Sequence, residues 1–275
     1  MQDIRILGLD LDGTVFDDRK EITPRTLAAM RAAIDRGVIV LPATGRPVSG
    51  VPEQFLHMQG VRYALTSNGA TVTELATGRR LVELTFDAEE AMRIYDVLSP
   101  FECAMSIFID GKTYTSTENL EKLEKFCPPA LLPYLKESRV GVDDMHGFMR
   151  RHAHGIEKFS ILYADYATRD AARKAVTSCC RVEATSSLGC NLELNAPGVT
   201  KGQALLTLAE TLGFSRDQVM ACGDSDNDLA MLRMAGLGVA MGNAEPEVKQ
   251  AADAIVADNN HDGVAEAIDR FILGL

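Results

Sequence analysis

The two ends of this chain are written in one pattern, and that pattern restricts the fold more than any other feature. Near the N-terminus "IRILGLD" reads as a strand. Thr23-Pro24 then supplies a cap and first-turn signal, and Leu27, Met30 and Ile34 recur at helical spacing up to Gly37. "VIVLPA" follows as a buried strand, "PEQFLHMQ" as a short helix ended by Gly60, and "YALTSNG" as a further strand and turn. The alternation resumes at Thr200, which caps a helix running to Leu212. After it come the strand "VMAC", the helix "NDLAMLRMAG", the strand "LGVAM", a helix opened by Pro246, the short strand "AIVA" and the final helix "GVAEAIDRFIL". Strands alternating with helices predict a parallel sheet covered by helices.

The middle reads differently. "AMSIFIDGKTYTS" is a hairpin signal, with Asp110-Gly111 between two alternating segments. A patch with Pro128, Pro129 and Pro133 follows, then the strand "KFSILYA", a helix from Thr168 to Ser178 and two more strand-like segments. The expectation is an α/β protein: a Rossmann-like parallel-sheet core from residues 1–85 and 194–275, with an α+β domain, 86–193, inserted.

At 275 residues the chain is long enough for such an arrangement. Its formal net charge of −11 argues against non-specific binding to nucleic acid or anionic membranes. An anionic substrate would therefore need a locally positive or metal-containing site. No signal peptide or membrane-length apolar stretch is readable, so a cytoplasmic location is expected. The six cysteines form no CxxC pair, although Cys179 and Cys180 are adjacent, and they read as reduced, packed thiols. His152 and His154 have no third ligand nearby in sequence to make a zinc site.

Within "LDLDGTVFDD", residues 9–18, Asp10 and Asp12 face the same way at the end of the first strand, because residues two apart share a face. In open parallel sheets the C-terminal strand ends are where ligands bind. A calcium loop fails here, with Val15 where glycine is needed. Directly after "VMAC", "GDSDND" offers Asp224, Asp226 and Asp228, more acids than a helix cap requires. There too a calcium loop fails, at Leu229 and Ala235. Both acidic clusters belong at one sheet edge, where their repulsion calls for a cation; hard oxygen ligands favour Mg²⁺. Lys201 follows the cap Thr200, where the helix dipole disfavours a cation unless an anion sits there too. "PATGRP" puts Thr44, Gly45 and Arg46 at the same edge. "GLGVAMG" is no dinucleotide loop, since Met241 stands where the third glycine is due. Asp17 and Asp18 read as solvated loop residues.

Together, "DLDGT", "ATGR", Lys201-Gly202 and "GDSDND", in that order, resemble the four motifs of the haloacid dehalogenase (HAD) superfamily. "SNGA" (67–70), "MGNA" (241–244) and "NNHDGVAEAI" (259–268) look like those of its Cof-like phosphatases with a type IIB cap. The resemblance implies a Mg²⁺-dependent phosphatase of small phosphorylated, sugar phosphate-like metabolites, whose inserted domain selects the substrate. It implies Asp10 as nucleophile and Asp12 as acid/base, with Thr44 and Lys201 completing the catalytic set. Mg²⁺ would be held by Asp10, the Asp12 carbonyl and Asp224, supported by Asp228. The substrate and its phosphoryl group would meet Leu11, Thr44, Gly45, Arg46, Asn68, Lys201 and Asn227. The rival readings are a phosphomutase and a catalytically silent regulatory binding protein. The cap sequence offers no readable substrate code, and the oligomeric state is open.

Overall fold

The computed structural model describes residues 3–129, 131–187 and 189–275. Its strands, in chain order, are β1 (Ile6–Leu9), β2 (Ile39–Pro42), β3 (Tyr63–Thr66), β4 (Thr71–Glu74), β5 (Arg79–Glu83), β6 (Ala104–Ile109), β7 (Lys112–Ser116), β8 (Arg139–Val142), β9 (Ile156–Leu162), β10 (Glu183–Thr185), β11 (Asn191–Asn195), β12 (Val219–Gly223), β13 (Leu237–Ala240) and β14 (Ala254–Ile255). They belong to two compact units. One comprises residues 1–45, 51–82 and 200–275; the other comprises 46–50 and 83–199.

The first unit is built on a parallel sheet of order β14-β13-β12-β1-β2, with Ile6 of β1 between Val219 and Ile39. Successive strand residues point to opposite faces, and both faces are buried. Leu7, Leu9, Met220, Cys222 and Val239 pack with Met30 and Ala33 of the helix Pro24–Asp35 and with Ile268 of Gly263–Ile268. On the other face Ile6, Ile39, Val219 and Ala221 pack with Leu205 and Leu208 of Lys201–Thr211 and Leu232 of Leu229–Met234. A strand buried on both sides reads as a continuous apolar run, which is how β1 is written.

Thr23 and Thr200 cap their helices as the sequence predicts, accepting from the backbone N–H of Thr26 and Gln203. Three expectations shift. The strand "YALT" does not continue the parallel sheet as a full member: β3 pairs antiparallel with β4 in a separate three-stranded sheet with β5, and meets β2's continuation by a single bridge, Ala43 to Leu65. The final helix is regular only to Ile268 and then widens into a π turn over Asp269–Leu273. The helix expected from Thr168 starts at Tyr166, because Asp165 caps it.

The second unit holds a six-stranded sheet of order β10-β11-β9-β6-β7-β8, antiparallel except for the β7–β8 pair. Asp110 and Gly111 turn the β6–β7 hairpin with φ 49° and 70°. Ile107, Phe159 and Leu194 are cross-strand neighbours on its apolar face, each fully buried. The opposite face carries Ser106, Ser160 and Glu193 in register, with Glu193 accepting a buried bond from Lys158 at 2.8 Å. No described helix is long and apolar enough to cross a membrane.

Candidate active site

The site is built where β1 and β12 end. Asp10 continues the ladder, its N–H donating to the Cys222 carbonyl at 3.0 Å, so its side chain emerges beside the loop that follows β12. Underneath lies the start of the helix Lys201–Thr211. That helix comes close because Gly202 has no side chain; a Cβ there would stand 2.5 Å from the Ala230 carbonyl oxygen.

Lys201 is fully buried, and its ammonium bonds Asp10 Oδ1 at 2.6 Å and Asp228 Oδ1 at 2.7 Å. The other Asp228 oxygen accepts the backbone N–H of Asp224 and Ser225 at 2.9 and 3.1 Å, which fixes the "GDSDND" loop. Asp224 in turn accepts from Thr14 Oγ1 at 2.9 Å and Ser225 Oγ at 3.0 Å. Gly13 fits over it with φ 81°; a Cβ at that position would lie 2.4 Å from Asp224 Oδ2.

The electrostatics are unbalanced. Burial, then the neighbouring acids against the opposing pull of Lys201, hold Asp10 well above the usual carboxylate range. Burial and Asp228 push Asp224 up to about 7. Burial works against the Lys201 ammonium, but Asp10 and Asp228 outweigh it and hold its pKa above the ordinary lysine value. One cation thus faces three acids, and two of those acids resist ionising. Ligand oxygens of Asp10, Asp224 and Asp228 all lie within 4.8 Å of one another. This all-oxygen, partly exposed set fits a hard divalent cation such as Mg²⁺. No other group of three or more metal-ligating side chains occurs among the described residues.

Thr44, Gly45 and Arg46 follow the end of β2, and Asn68 follows β3. Thr44 is buried, takes its N–H to the Leu65 carbonyl at 2.9 Å and accepts the Asn68 N–H at 3.1 Å. Ser67 and Asn68 both have left-handed backbones, φ 53° and 58°, and Asn227 Nδ2 donates to Asn68 Oδ1 at 3.2 Å. Consecutive left-handed residues other than glycine are costly and gather at functional turns. Leu11 sends its side chain to the core, while its carbonyl accepts the N–H of Phe16 at 2.9 Å. Gly45 closes the first unit's segment, and Arg46 belongs to the second, stacked 4.7 Å over the Tyr134 ring and donating to the Gly50 carbonyl. Asp12 stands outside the metal-capable group, its carboxylate bonded to Lys20 at 2.9 Å.

One reading is corrected. Asp17 is not a solvated loop residue: it is 5% exposed, because its carboxylate turns inward to accept backbone N–H groups of Arg19 and Glu21. Asp18 is exposed. The roles of Thr14 and Ser225 around Asp224 were not read from the sequence, though the threonine of "DGT" was in view. Asn243 was missed as a support: it donates to the Gly13 carbonyl at 2.8 Å and accepts the Asn259 N–H.

A doubly covered parallel sheet with its polar cluster at the C-terminal strand ends is the architecture of an α/β enzyme. The family is more particular: the pattern of the haloacid dehalogenase-like hydrolases matches residues 7–268, and the chain belongs to that family. It is 31% identical over 272 residues to the 5-amino-6-(5-phospho-D-ribitylamino)uracil phosphatase YcsE of Bacillus subtilis (strain 168), covering 98% of this chain and 97% of that one. It is 24% identical over 269 residues to the pyridoxal phosphate phosphatase YbhA of Escherichia coli (strain K12), covering 96% and 97%. Among solved structures, a haloacid dehalogenase-like hydrolase from B. subtilis superposes with a TM-score of 0.84 at 26% identity, over 98% of this chain and all of that one.

Proposed function

We propose that this hydrolase is a Mg²⁺-dependent phosphatase that cleaves phosphate monoesters of small metabolites through an aspartyl-phosphate on Asp10. The observation that carries the reading is the buried ammonium of Lys201 held between Asp10 and Asp228, beside Asp224. Such an arrangement keeps one Asp10 oxygen fixed and the other available to attack.

Asp10 attacks phosphorus; the Asp10 O–P bond forms and the ester P–O bond breaks, while Asp12 gives its proton to the departing oxygen. Water then attacks the aspartyl-phosphate, Asp12 takes the water's proton, and the Asp10 O–P bond breaks to release phosphate. Lys201, Thr44, Asn227, Leu11 and the Gly45 N–H are assigned to hold the phosphoryl oxygens as charge spreads over them. Asp10, Asp224 and the Asp12 carbonyl would hold Mg²⁺, supported by Asp228, and the ion when bound offsets charge between the nucleophile and the phosphate. Arg46 and Asn68 are assigned to the leaving group, as the family resemblance implies. Relatives named for a ribitylaminouracil phosphate and for pyridoxal phosphate support a small phosphorylated metabolite as substrate, with sugar phosphates in the same class.

The test is Asp10→Asn assayed with Mg²⁺ against sugar phosphates, pyridoxal phosphate and flavin mononucleotide. The parent releases phosphate from at least one, and the variant is expected to lose at least 10³-fold. Phosphate release unchanged in the variant would sink the mechanism.

A further inference from the structure

The turn after the nucleophile carries a lysine in a backbone conformation that suits glycine. Lys20 has φ 64°, in the left-handed region that a residue with a Cβ enters only at a cost. Asp17 holds the turn in that shape. Its Oδ1 accepts the backbone N–H of Arg19 and of Glu21, each at 2.9 Å, and its Oδ2 accepts from Arg19 Nε at 3.1 Å. The Lys20 N–H donates back to the Asp17 carbonyl at 2.9 Å, and the Asp17 N–H to the Glu21 carbonyl at 3.0 Å. Farther along, Asn259 Nδ2 donates to the Phe16 carbonyl at 3.0 Å and ties the turn down.

So placed, the Lys20 ammonium reaches Asp12, with Nζ 2.9 Å from Oδ1. As a stabilising contact the pair counts for little, because the side chains are 49% and 40% exposed and exposed ion pairs contribute little to folding. A conformational cost with no matching gain in stability points to function. The turn could have used glycine; it uses the one side chain that brings an ammonium to Asp12.

We propose that Lys20 is a positioning residue for Asp12. Its ammonium holds the carboxylate in the direction needed to take the proton of the attacking water while the aspartyl-phosphate is hydrolysed. The proposal rests on the acid/base role given to Asp12 above. In that step the water oxygen bonds to phosphorus, the Asp10 O–P bond breaks, and the water's proton passes to Asp12. Without the ammonium the carboxylate loses this bond, and the second step slows.

The decisive variant is Lys20→Gly, since glycine adopts this backbone freely and only the cation is lost. With 4-nitrophenyl phosphate and Mg²⁺, the unfolding midpoint should stay close to the parent's while kcat falls ~10-fold. Stopped-flow traces should then show a burst of nitrophenolate approaching one per chain, larger than the parent's, because breakdown of the phosphoenzyme now limits turnover. Lys20→Arg should keep most of kcat. Parental kcat in Lys20→Gly, or a lower kcat with no enlarged burst, overturns the proposal. Asp12→Asn separates the two layers. If it turns over at the parental rate, the role of Asp12 fails and this proposal falls with it. If it is impaired while Lys20→Gly is not, the positioning role alone is wrong.

Discussion

Asp224 shows how a single residue reports what its site is made for. Burial first, and then Asp228, lift its pKa from 3.8 to about 7, and Asp10 is raised by burial as well. An acid whose folded pKa exceeds its unfolded value binds more protons when folded. The stability it contributes is present at low pH and declines as pH rises between those two values. Metal-free protein should therefore lose thermal stability between about pH 4 and pH 7, the reverse of an acid-sensitive ion pair. Melting curves in chelator across that range are the measurement. Asp224→Asn should flatten the profile, and saturating Mg²⁺ should restore most of the loss at the upper end. A chelated protein equally stable at both ends would show that the carboxylates are not strained by one another. At this scale the sequence was informative in assigning Asp10 and the acids of "GDSDND" to one sheet edge, where Asp10, Asp224 and Asp228 meet. Asp12, expected to face the same way as Asp10, lies past the end of β1 with its carboxylate on Lys20. The sequence pointed the wrong way for Asp17, which turns inward to bond the backbone of its own turn, and it was silent on Lys20, whose left-handed φ of 64° belongs to that turn.

At the scale of elements, the site depends on how closely the helix Lys201–Thr211 approaches its neighbours. Gly202 sits against the helix Leu229–Met234, where an added Cβ would stand 2.5 Å from a backbone carbonyl and 2.9 Å from Met234 Sδ. Backbone cannot yield as a side chain can, so the helix itself must move. Gly202→Ala is expected to cost about 1–3 kcal/mol in urea unfolding, the usual range for overpacking. It should also lower kcat, because Lys201 moves with the helix. A variant that loses stability but keeps full kcat would mean that the ammonium follows the carboxylates rather than the helix. The elements that were legible carry strong local chemistry: threonine caps at Thr23 and Thr200, Asp110-Gly111 at the hairpin, unbroken apolar runs in β1 and β2. Those missed carry none. β4 and β5 are short and partly exposed, with "ATGRR" between and into them, and β8 is an edge strand, "RVGV", with its two middle residues exposed. Its pairing with β7 is parallel, so no hairpin turn announces it.

For the whole molecule, the division into two units makes a prediction about where a metal acts. Every carboxylate assigned to Mg²⁺ lies in the first unit, on segments far apart in sequence: Asp10 after β1, Asp224 and Asp228 after β12. A cation joining them crosslinks β1, β12 and, through Lys201, the helix beneath. Binding that favours the folded state stabilises it by RT ln(1 + [L]/Kd), about 2.7 kcal/mol at a hundredfold excess over Kd. Only openings that break the site feel this gain. The second unit has its own sheet and core, with Phe86 against Phe159 and with Ile107 and Leu194 flanking Phe159 across the sheet. It should open at its own free energy. Hydrogen exchange with and without Mg²⁺, in the absence of substrate, should show slowed exchange in β1, β12 and residues 201–211, on the order of a hundredfold at that excess. β6, β9 and β11 should exchange as before. If protection spreads equally to those strands, the two units open as one cooperative body. If β1 and β12 gain none, the carboxylates hold no cation and the charge imbalance around Asp10 has some other answer.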